Sequence, residues 1–183
     1  MNRLKEKYQQ EVISTLQKEF EIINTFAVPK LQKIVLNMGI TDQQNREGAI
    51  KSVVEQFKTI AGLKPNITRS RKAIANFKTR VGDPLGVMVT LRGEYMWEFL
   101  DKLINLTLPR VKDFQGISRT AFDQNGNYNL GIEEQIVFPE INYDLIDTVR
   151  GLQVTLVTST KDNALAFRMF ELLGMPFAKE KKE

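Results

Sequence analysis

The stretch Lys33-Ile34-Val35-Leu36-Asn37-Met38-Gly39 decides the fold, because apolar and polar side chains alternate along it. Successive side chains of a β-strand point to opposite faces, so Ile34, Leu36 and Met38 share one face. The opposite face carries Lys33, Val35 and Asn37. The pattern therefore predicts a strand with one buried side and one open side, which ends at Gly39.

Two later stretches alternate in the same way and predict two further strands. Their expected core positions are Val87, Val89, Leu91, Leu152, Val154 and Leu156. Four other stretches carry apolar residues at helical spacing, namely 4–20, 50–61, 96–104 and 165–173. The second of these helices is expected to stop at Gly62, and Thr160 or Asp162 is the expected cap of the last.

Together these elements predict an α+β fold with a largely antiparallel sheet, helices packed on one face and a polar face opposite. No repeat or linker divides the chain, so we interpret 1–183 as a single domain. Residues 110–147 have poor periodicity and several Gly residues, which favours short strands and turns. The lysine-rich end, 179–183, is expected to fray.

The chain has 183 residues and contains neither cysteine nor histidine. Disulfides, thiolate and imidazole metal sites, cysteine nucleophiles and histidine-dependent triads are therefore excluded, and we expect no metal and no cofactor. No apolar run approaches the roughly 18 to 20 residues of a membrane span, and the N-terminal stretch lacks a signal-peptide core. We therefore expect a cytoplasmic protein that does not enter a membrane.

The charged residues are segregated along the chain, although the net charge is only +4. Between Gln56 and Gly82 there are seven basic residues and no acidic ones, whereas between Thr120 and Val149 there are six acidic residues and no basic ones. A single run of either kind is often solvated surface. The segregation of two runs of opposite sign makes the interpretation as solvated surface alone less favoured.

The open sheet face and the basic run both favour RNA as a ligand. The open face would carry Lys33, Asn37, Thr90, Arg92, Gln153 and Thr155. Short polar side chains pair with base edges and 2′-hydroxyls, and Lys and Arg bind phosphates, although a polar sheet face is also often only solvated. In the basic loop 71–83, Phe77 is placed to stack on a base, and an idle flexible loop is the alternative.

Other motifs favour catalysis only weakly. Gly82-Asp83-Pro84-Leu85-Gly86 contains two glycines but does not match a phosphate-binding loop. Glu133, Glu134 and Glu140 are carboxylates, but they lie on an irregular segment without a nucleophile. We therefore predict that the protein is not an enzyme.

At this point the sequence resembles a known family, the bacterial-type large-subunit ribosomal protein five. The resemblance covers essentially the whole chain. Its specific motifs are PKLQKIVLNMG from Pro29, the segment 62–86, LPRVKDFQGIS from Leu108, NYNLGIEEQIVFPEINYD from Asn127, and GLQVTLVTSTKDNALAFRMFELLGMPF from Gly151.

The resemblance implies a structural protein of the large ribosomal subunit that binds 5S ribosomal RNA (rRNA) and helps attach it to the large rRNA in the central protuberance, beside neighbouring large-subunit proteins. In the family, the open sheet face is the main 5S-binding surface. The matching polar contacts are Asn37 and Thr90, and further candidates are Lys33, Lys64, Asn66, Thr68, Arg69 and Arg92.

Two more partners are implied by the resemblance. The loop that corresponds to 71–83 reaches toward the elbow of the peptidyl-site tRNA, and its contact residues here are Arg71, Lys72, Asn76, Phe77, Lys78 and Arg80. Members of the family also touch a basic small-subunit protein, number thirteen, in a bridge between the subunits. Complementary charge for that bridge is expected from Glu133, Glu134, Glu140, Asp144 and Asp147.

The chain departs from the family pattern at two places. Leu63 stands where the family usually has a polar Gln, which removes an expected RNA contact. Arg71-Lys72 replaces two consecutive lysines, which keeps the charge and changes its geometry. An RNA chaperone or ribosome assembly factor that uses the same surfaces is the alternative function.

Overall fold

A five-stranded sheet in the order β2-β3-β1-β5-β4 organises the fold. The computed structural model describes residues 2–40, 45–143 and 146–179. Its strands are β1 Leu31–Gly39, β2 Asn66–Arg69, β3 Pro84–Leu91, β4 Tyr128–Ile132 and β5 Leu152–Thr158. The sheet, the antiparallel pairing of β2 with β3 and the accompanying helices confirm the predicted α+β class.

The helices are α1 Arg3–Lys7, α2 Ile13–Glu19, α3 Arg46–Ala61, α4 Gly93–Lys102 and α5 Asn163–Leu173. Two π-helical turns, Tyr8–Val12 and Leu103–Thr107, follow α1 and α4. Among the described residues, no helix combines the length and the apolar character that crossing a membrane requires. Residues 180–183 of the predicted tail lie outside the described residues.

The chain divides into two compact units. The first, called unit one here, contains 1–34, 91–130 and 155–183. The second, called unit two, contains 35–90 and 131–154. Strands β1, β3, β4 and β5 each contribute residues to both units.

Alternation along the strands follows the sequence prediction. All eight apolar strand residues expected in the core are at most 5% exposed: Ile34, Leu36, Val87, Val89, Leu91, Leu152, Val154 and Leu156. Their neighbours along the strands, such as Asn37 and Thr90, are half-buried. A slip of one residue in register would exchange the two faces, so burial of the apolar set fixes which side chains stay open.

Unit two is covered by α3, whose apolar residues recur at helical spacing. Ile50, Val53, Phe57 and Ile60 are all at most 4% exposed. The helix ends as predicted at Gly62, which adopts the left-handed conformation with φ of 66° and donates its N–H to the carbonyl of Lys58 at 2.9 Å. Glycine accepts this conformation without the steric cost that a Cβ would add.

Unit one begins with helix α1, a π-helical turn and α2, where the sequence predicted one helix over 4–20. Its apolar residues are spaced every four residues, and an α-helix with 3.6 residues per turn rotates such a row by about 40° at each step. The wider π turn at Tyr8–Val12 keeps Leu4, Val12 and Leu16 buried. The apolar spacing over 4–20 ends with Phe20, but the buried row does not extend to it, because Phe20 follows α2 and is 39% exposed.

The irregular segment and the last helix also agree with the sequence. The region 110–147 contains the short strand β4 and the 3-10 turn Gln135–Val137, in agreement with the expected short elements. Helix α5 begins at the predicted cap, because the Asp162 carboxylate accepts the N–H of Ala164 at 2.8 Å. Thr160 instead accepts the N–H of Asp162 through its hydroxyl oxygen, at 3.1 Å.

Candidate nucleic-acid interface

The open sheet face of unit two carries short polar side chains. Antiparallel pairing places Asn66 opposite Met88 and Thr68 opposite Gly86, so these residues share a face with Thr90. Asn37 lies on the open face of β1, because Leu36 and Met38 occupy the buried one. The structure therefore brings together in unit two four predicted contacts, Asn37, Asn66, Thr68 and Thr90.

The polar groups of this face are available to a ligand. Within the described part of the chain, the side chains of Asn37, Asn66, Thr68 and Thr90 make no hydrogen bond to protein. All four are exposed or half-buried, so water satisfies them in the free protein. An RNA that replaces this water can pair with amide and hydroxyl groups that the fold does not use.

The basic side chains predicted around this face are in different situations. Lys64 is exposed in unit two, next to the start of β2. Arg69 is exposed but donates from Nη1 to the carbonyl of Gly82 at 2.9 Å, which joins the end of β2 to the returning chain. Lys33 and Arg92 belong to unit one, where Lys33 is half-buried and Arg92 exposed.

The predicted basic loop is an ordered hairpin that extends strands β2 and β3. We call residues 70–83 the basic hairpin. At its base, the N–H of Ser70 donates to the carbonyl of Asp83 at 2.8 Å, and the N–H of Gly82 donates to the carbonyl of Ser70 at 3.0 Å. Nearer the tip, Ile74 and Thr79 exchange two backbone hydrogen bonds of 3.2 Å each. These bonds give the loop a defined hairpin conformation.

The tip of the basic hairpin presents an aromatic ring among exposed cations. The 3-10 turn Ala75–Phe77 and the left-handed Lys78, with φ of 50°, reverse the chain and leave Phe77 66% exposed. The basic side chains Arg71, Lys72, Lys78 and Arg80 are also exposed, and none of them forms a salt bridge with a described acidic residue. Asn76 is exposed on the same turn.

Asp83 is the only acidic residue of the basic hairpin, and its carboxylate makes contacts where the hairpin joins the strands. Its carboxylate accepts the N–H of Arg80 at 2.8 Å and lies 3.3 Å from Nη1 of Arg46. The cations toward the tip therefore keep an unopposed positive field. Such a field attracts phosphate, and the exposed ring adds a surface for stacking.

The acidic residues are divided between outward and internal roles. Glu133, Glu134 and Glu140 are exposed in unit two, and Asp144 lies outside the described residues. Asp147 instead makes two hydrogen bonds of 2.8 Å to the guanidinium of Arg150 and accepts a third from the Ser52 hydroxyl at 3.1 Å. Hydrogen bonding to Arg150 is the main cause that lowers the pKa of Asp147 to about 2.

Gln135 holds the chain that carries these carboxylates, and no pattern in the sequence indicated this role. Its side chain is 0% exposed, donates to the carbonyl of Thr148 at 2.9 Å and accepts the N–H of Arg150. These two bonds join Gln135 to Thr148 and Arg150, and so hold together the two ends of the segment that carries the carboxylates. The structure thus separates Asp147, which stabilises this segment, from the outward glutamates.

Among the described residues, no group of His, Cys, Asp and Glu side chains could hold a metal ion. The candidate interface positions named above consist of amide, hydroxyl, ammonium, guanidinium and aromatic groups. These groups bind phosphate, ribose and bases, but they include no paired nucleophile and base. The arrangement therefore supports binding of a nucleic acid and does not support catalysis.

Comparisons with known proteins agree with this geometry. Residues 24–80 match the family model described as ribosomal protein L5, and residues 84–177 match the model described as the C-terminus of that ribosomal protein family. A protein named large ribosomal subunit protein uL5 from Thermoanaerobacter sp. is 51% identical over 98% of this chain and 100% of its own length. The protein of the same name from Roseiflexus castenholzii is 52% identical over 96% of this chain and 97% of its own length.

Replacing Asp147 with Asn should flatten the acid dependence of the free energy of unfolding. The pKa of Asp147 is lowered in the fold, so its ion pair stabilises the protein above the ordinary value of 3.8 and is lost as the pH falls toward about 2. Urea titrations at a series of acidic pH values measure this. Ser52→Ala removes the longest of the three hydrogen bonds to Asp147, together with the bond from Gln56 Nε2 to Ser52, and should retain most of the pH dependence. An unchanged pH profile in Asp147→Asn would refute the assignment.

Proposed function

Because the chain belongs to the ribosomal protein L5 family, and is therefore a structural protein of the large ribosomal subunit, we propose that it binds 5S rRNA and helps attach it to the large rRNA. Family membership confirms the prediction that it is not an enzyme, and it confirms the predicted location in the cytoplasmic large subunit. It also favours a resident ribosomal protein over the alternative of a chaperone or assembly factor.

The observation that carries 5S rRNA binding is the set of unpaired polar groups on the open face of unit two. Asn37, Asn66, Thr68 and Thr90 offer amide and hydroxyl groups of similar reach. These groups suit 2′-hydroxyls and base edges in the shallow groove of an RNA helix. Lys64 is exposed beside this face and supplies charge for phosphates, as Lys33 and Arg92 do in unit one.

We further propose that 1–183 acts as one RNA-binding domain, since β1, β3, β4 and β5 each supply residues to both units. The large rRNA and neighbouring large-subunit proteins are the other partners of this domain in the central protuberance. Leu63 is half-buried beside the open face, so it does not replace the polar contact that the family usually has there.

Replacing Asn37 or Thr90 with Ala should weaken 5S rRNA binding by about 1 to 3 kcal/mol, because each change leaves a polar group of the RNA unpaired. Binding is measured over a salt series, against a structured RNA of equal length. Thr59→Ala is the matched control, since Thr59 is exposed on α3 and, among the described residues, its hydroxyl bonds only to the carbonyl of Glu55. If both RNAs bind with equal affinity and neither substitution changes that affinity, the protein attracts RNA only nonspecifically through the basic hairpin.

The basic hairpin is proposed to contact the elbow of the peptidyl-site tRNA. Its support is the exposed ring of Phe77 beside Arg71, Lys72, Asn76, Lys78 and Arg80, held on a hydrogen-bonded turn. A large apolar side chain that is 66% exposed on a hairpin tip has no packing role in the free protein. Stacking on a base or a ribose would use the ring, while the cations bind phosphates.

Ribosomes that carry Phe77→Ala should release peptidyl-site tRNA faster, with a loss of about 1 to 3 kcal/mol if the ring stacks on one base. When tRNA binding is measured over a salt series, Lys72→Ala should lower the slope of log affinity against log salt concentration by about one or less, which is the contribution of one phosphate contact. Ile23→Ala is the matched control, because Ile23 is fully exposed but belongs to unit one. A tRNA release rate equal to that of wild type in Phe77→Ala would exclude the ring from the contact.

The acidic residues of unit two are proposed to face the basic small-subunit protein thirteen in a bridge between the subunits. Support comes from Glu133, Glu134 and Glu140, which are exposed on a segment that Gln135 and Arg150 hold together. Asp147 contributes its charge mainly to Arg150, and Asp144 is included on the sequence argument alone. Complementary charges at such a contact speed and orient association more than they increase affinity.

Reversing Glu133, Glu134 and Glu140 to Lys should slow the association of the ribosomal subunits and reverse the effect of low salt on its rate. Light scattering after mixing the subunits measures this rate. A control with three reversed acids in unit one, at Glu6, Glu11 and Glu98, keeps the total charge change equal. The bridge proposal fails if the first variant associates with the rate and salt dependence of wild type.

A further inference from the structure

Gly39 is a glycine that the described fold does not require. It is exposed at the end of β1, and its backbone is not in the left-handed region that favours glycine. No described heavy atom lies within 4 Å of the place where a Cβ would stand. A strand position that holds glycine without a conformational or packing reason often marks the close approach of a ligand.

Gly86 on β3 differs, because packing explains it. A Cβ there would stand 2.6 Å from the carbonyl oxygen of Met38, a backbone atom that cannot move aside. The same Cβ would lie 3.1 Å from Thr68 Oγ1 and 3.4 Å from the Cα of Gly39. The two glycines are thus neighbours near Thr68, but Gly86 is buried. Gly39 alone therefore leaves its backbone bare to a ligand on the open face of unit two, and we call this backbone the bare patch.

The bare patch lies among the polar groups already assigned to RNA. Asn37 is two residues before Gly39, so both belong to the open face of β1. Asn37, Thr68 and Thr90 have short side chains, and hydrogen bonds require a partner at about 2.7 to 3.2 Å. An RNA strand must therefore lie almost on the sheet to reach these groups.

We propose that Gly39 keeps this patch bare so that the ribose-phosphate backbone of 5S rRNA can lie against the sheet. A branched side chain at position 39 would stand as high as Asn37 and would hold the RNA beyond hydrogen-bonding distance. Gly39 is on this account a positioning residue, because it has no side chain that would hold the RNA away from the sheet. The inference rests on the proposed binding of 5S rRNA to the open face.

The experiment compares Gly39→Ala, Gly39→Val and Gly39→Leu in 5S rRNA binding by the full chain. Affinity should fall progressively with side-chain size, by about tenfold or more for Leu, the equivalent of losing at least one polar contact. Gly131→Leu is the matched control. Gly131 is also an exposed strand glycine of unit two with no described atom within 4 Å of a Cβ, and this variant should bind within about twofold of wild type.

A double variant separates steric exclusion from a general loss of structure. If a Leu at position 39 holds the RNA away from Asn37, adding Asn37→Ala to Gly39→Leu should cost no further affinity, whereas independent effects would add. Circular dichroism and thermal unfolding should match wild type for Gly39→Ala, so this variant tests the inference even if larger ones fold poorly.

The outcomes distinguish the two proposals. Wild-type chain that does not prefer 5S rRNA over a structured RNA of equal length overturns the proposed function itself. Selective wild-type binding that Gly39→Val and Gly39→Leu leave unchanged, or that Gly131→Leu reduces equally, overturns only the role of Gly39. Additive losses in the double variant also overturn it, because the RNA would then still reach Asn37.

Discussion

Burial of one face of the sheet is the constraint on which the rest of the structure depends. In unit two, Leu36, Met38, Val87 and Val89 must leave water together, and the strand repeat of two residues then sends Asn37 and Thr90 to the other side. Each apolar side chain of this size stabilises the fold by about 1.5 to 3 kcal/mol when it is fully buried. The polar face is therefore fixed by the apolar one, and its groups reach a ligand without any rearrangement of the core.

A similar division governs the charges. Carboxylates placed beside a cation are used within the protein, as Asp83 is beside Arg46 and Asp147 is beside Arg150. The exposed charges lie on the cations of the basic hairpin tip and on the outward glutamates of unit two. Internal pairing therefore strengthens the charge segregation already present in the sequence. It pairs the negative charge of Asp83 in the basic hairpin and that of Asp147 in the acidic segment with cations of the protein itself.

Sequence periodicity anticipated strands β1, β3 and β5, most helix positions and the open face, since those features depend on neighbours two to four residues apart. Phe20 shows the limit of such reasoning. It continues the four-residue row of Leu4, Val12 and Leu16, yet it follows the end of α2 and is exposed. Periodicity assumes that the helix continues, and only the folded chain determines where it ends.

The sequence by itself determined the α+β class, the buried and open faces of the strands, the segregation of charge and the family, because these follow from local alternation and motif identity. Only the tertiary structure decided that the basic loop is a hydrogen-bonded hairpin and that Asp147 is held by Arg150 and Ser52. It also revealed that Gly86 is required by packing while Gly39 is not. The Ser52 contact joins residues 95 apart in the chain, and the two glycines differ only in the space around one atom. The hairpin and the Asp147–Arg150 pair join nearer residues, but they require a backbone conformation that alternation and charge do not specify.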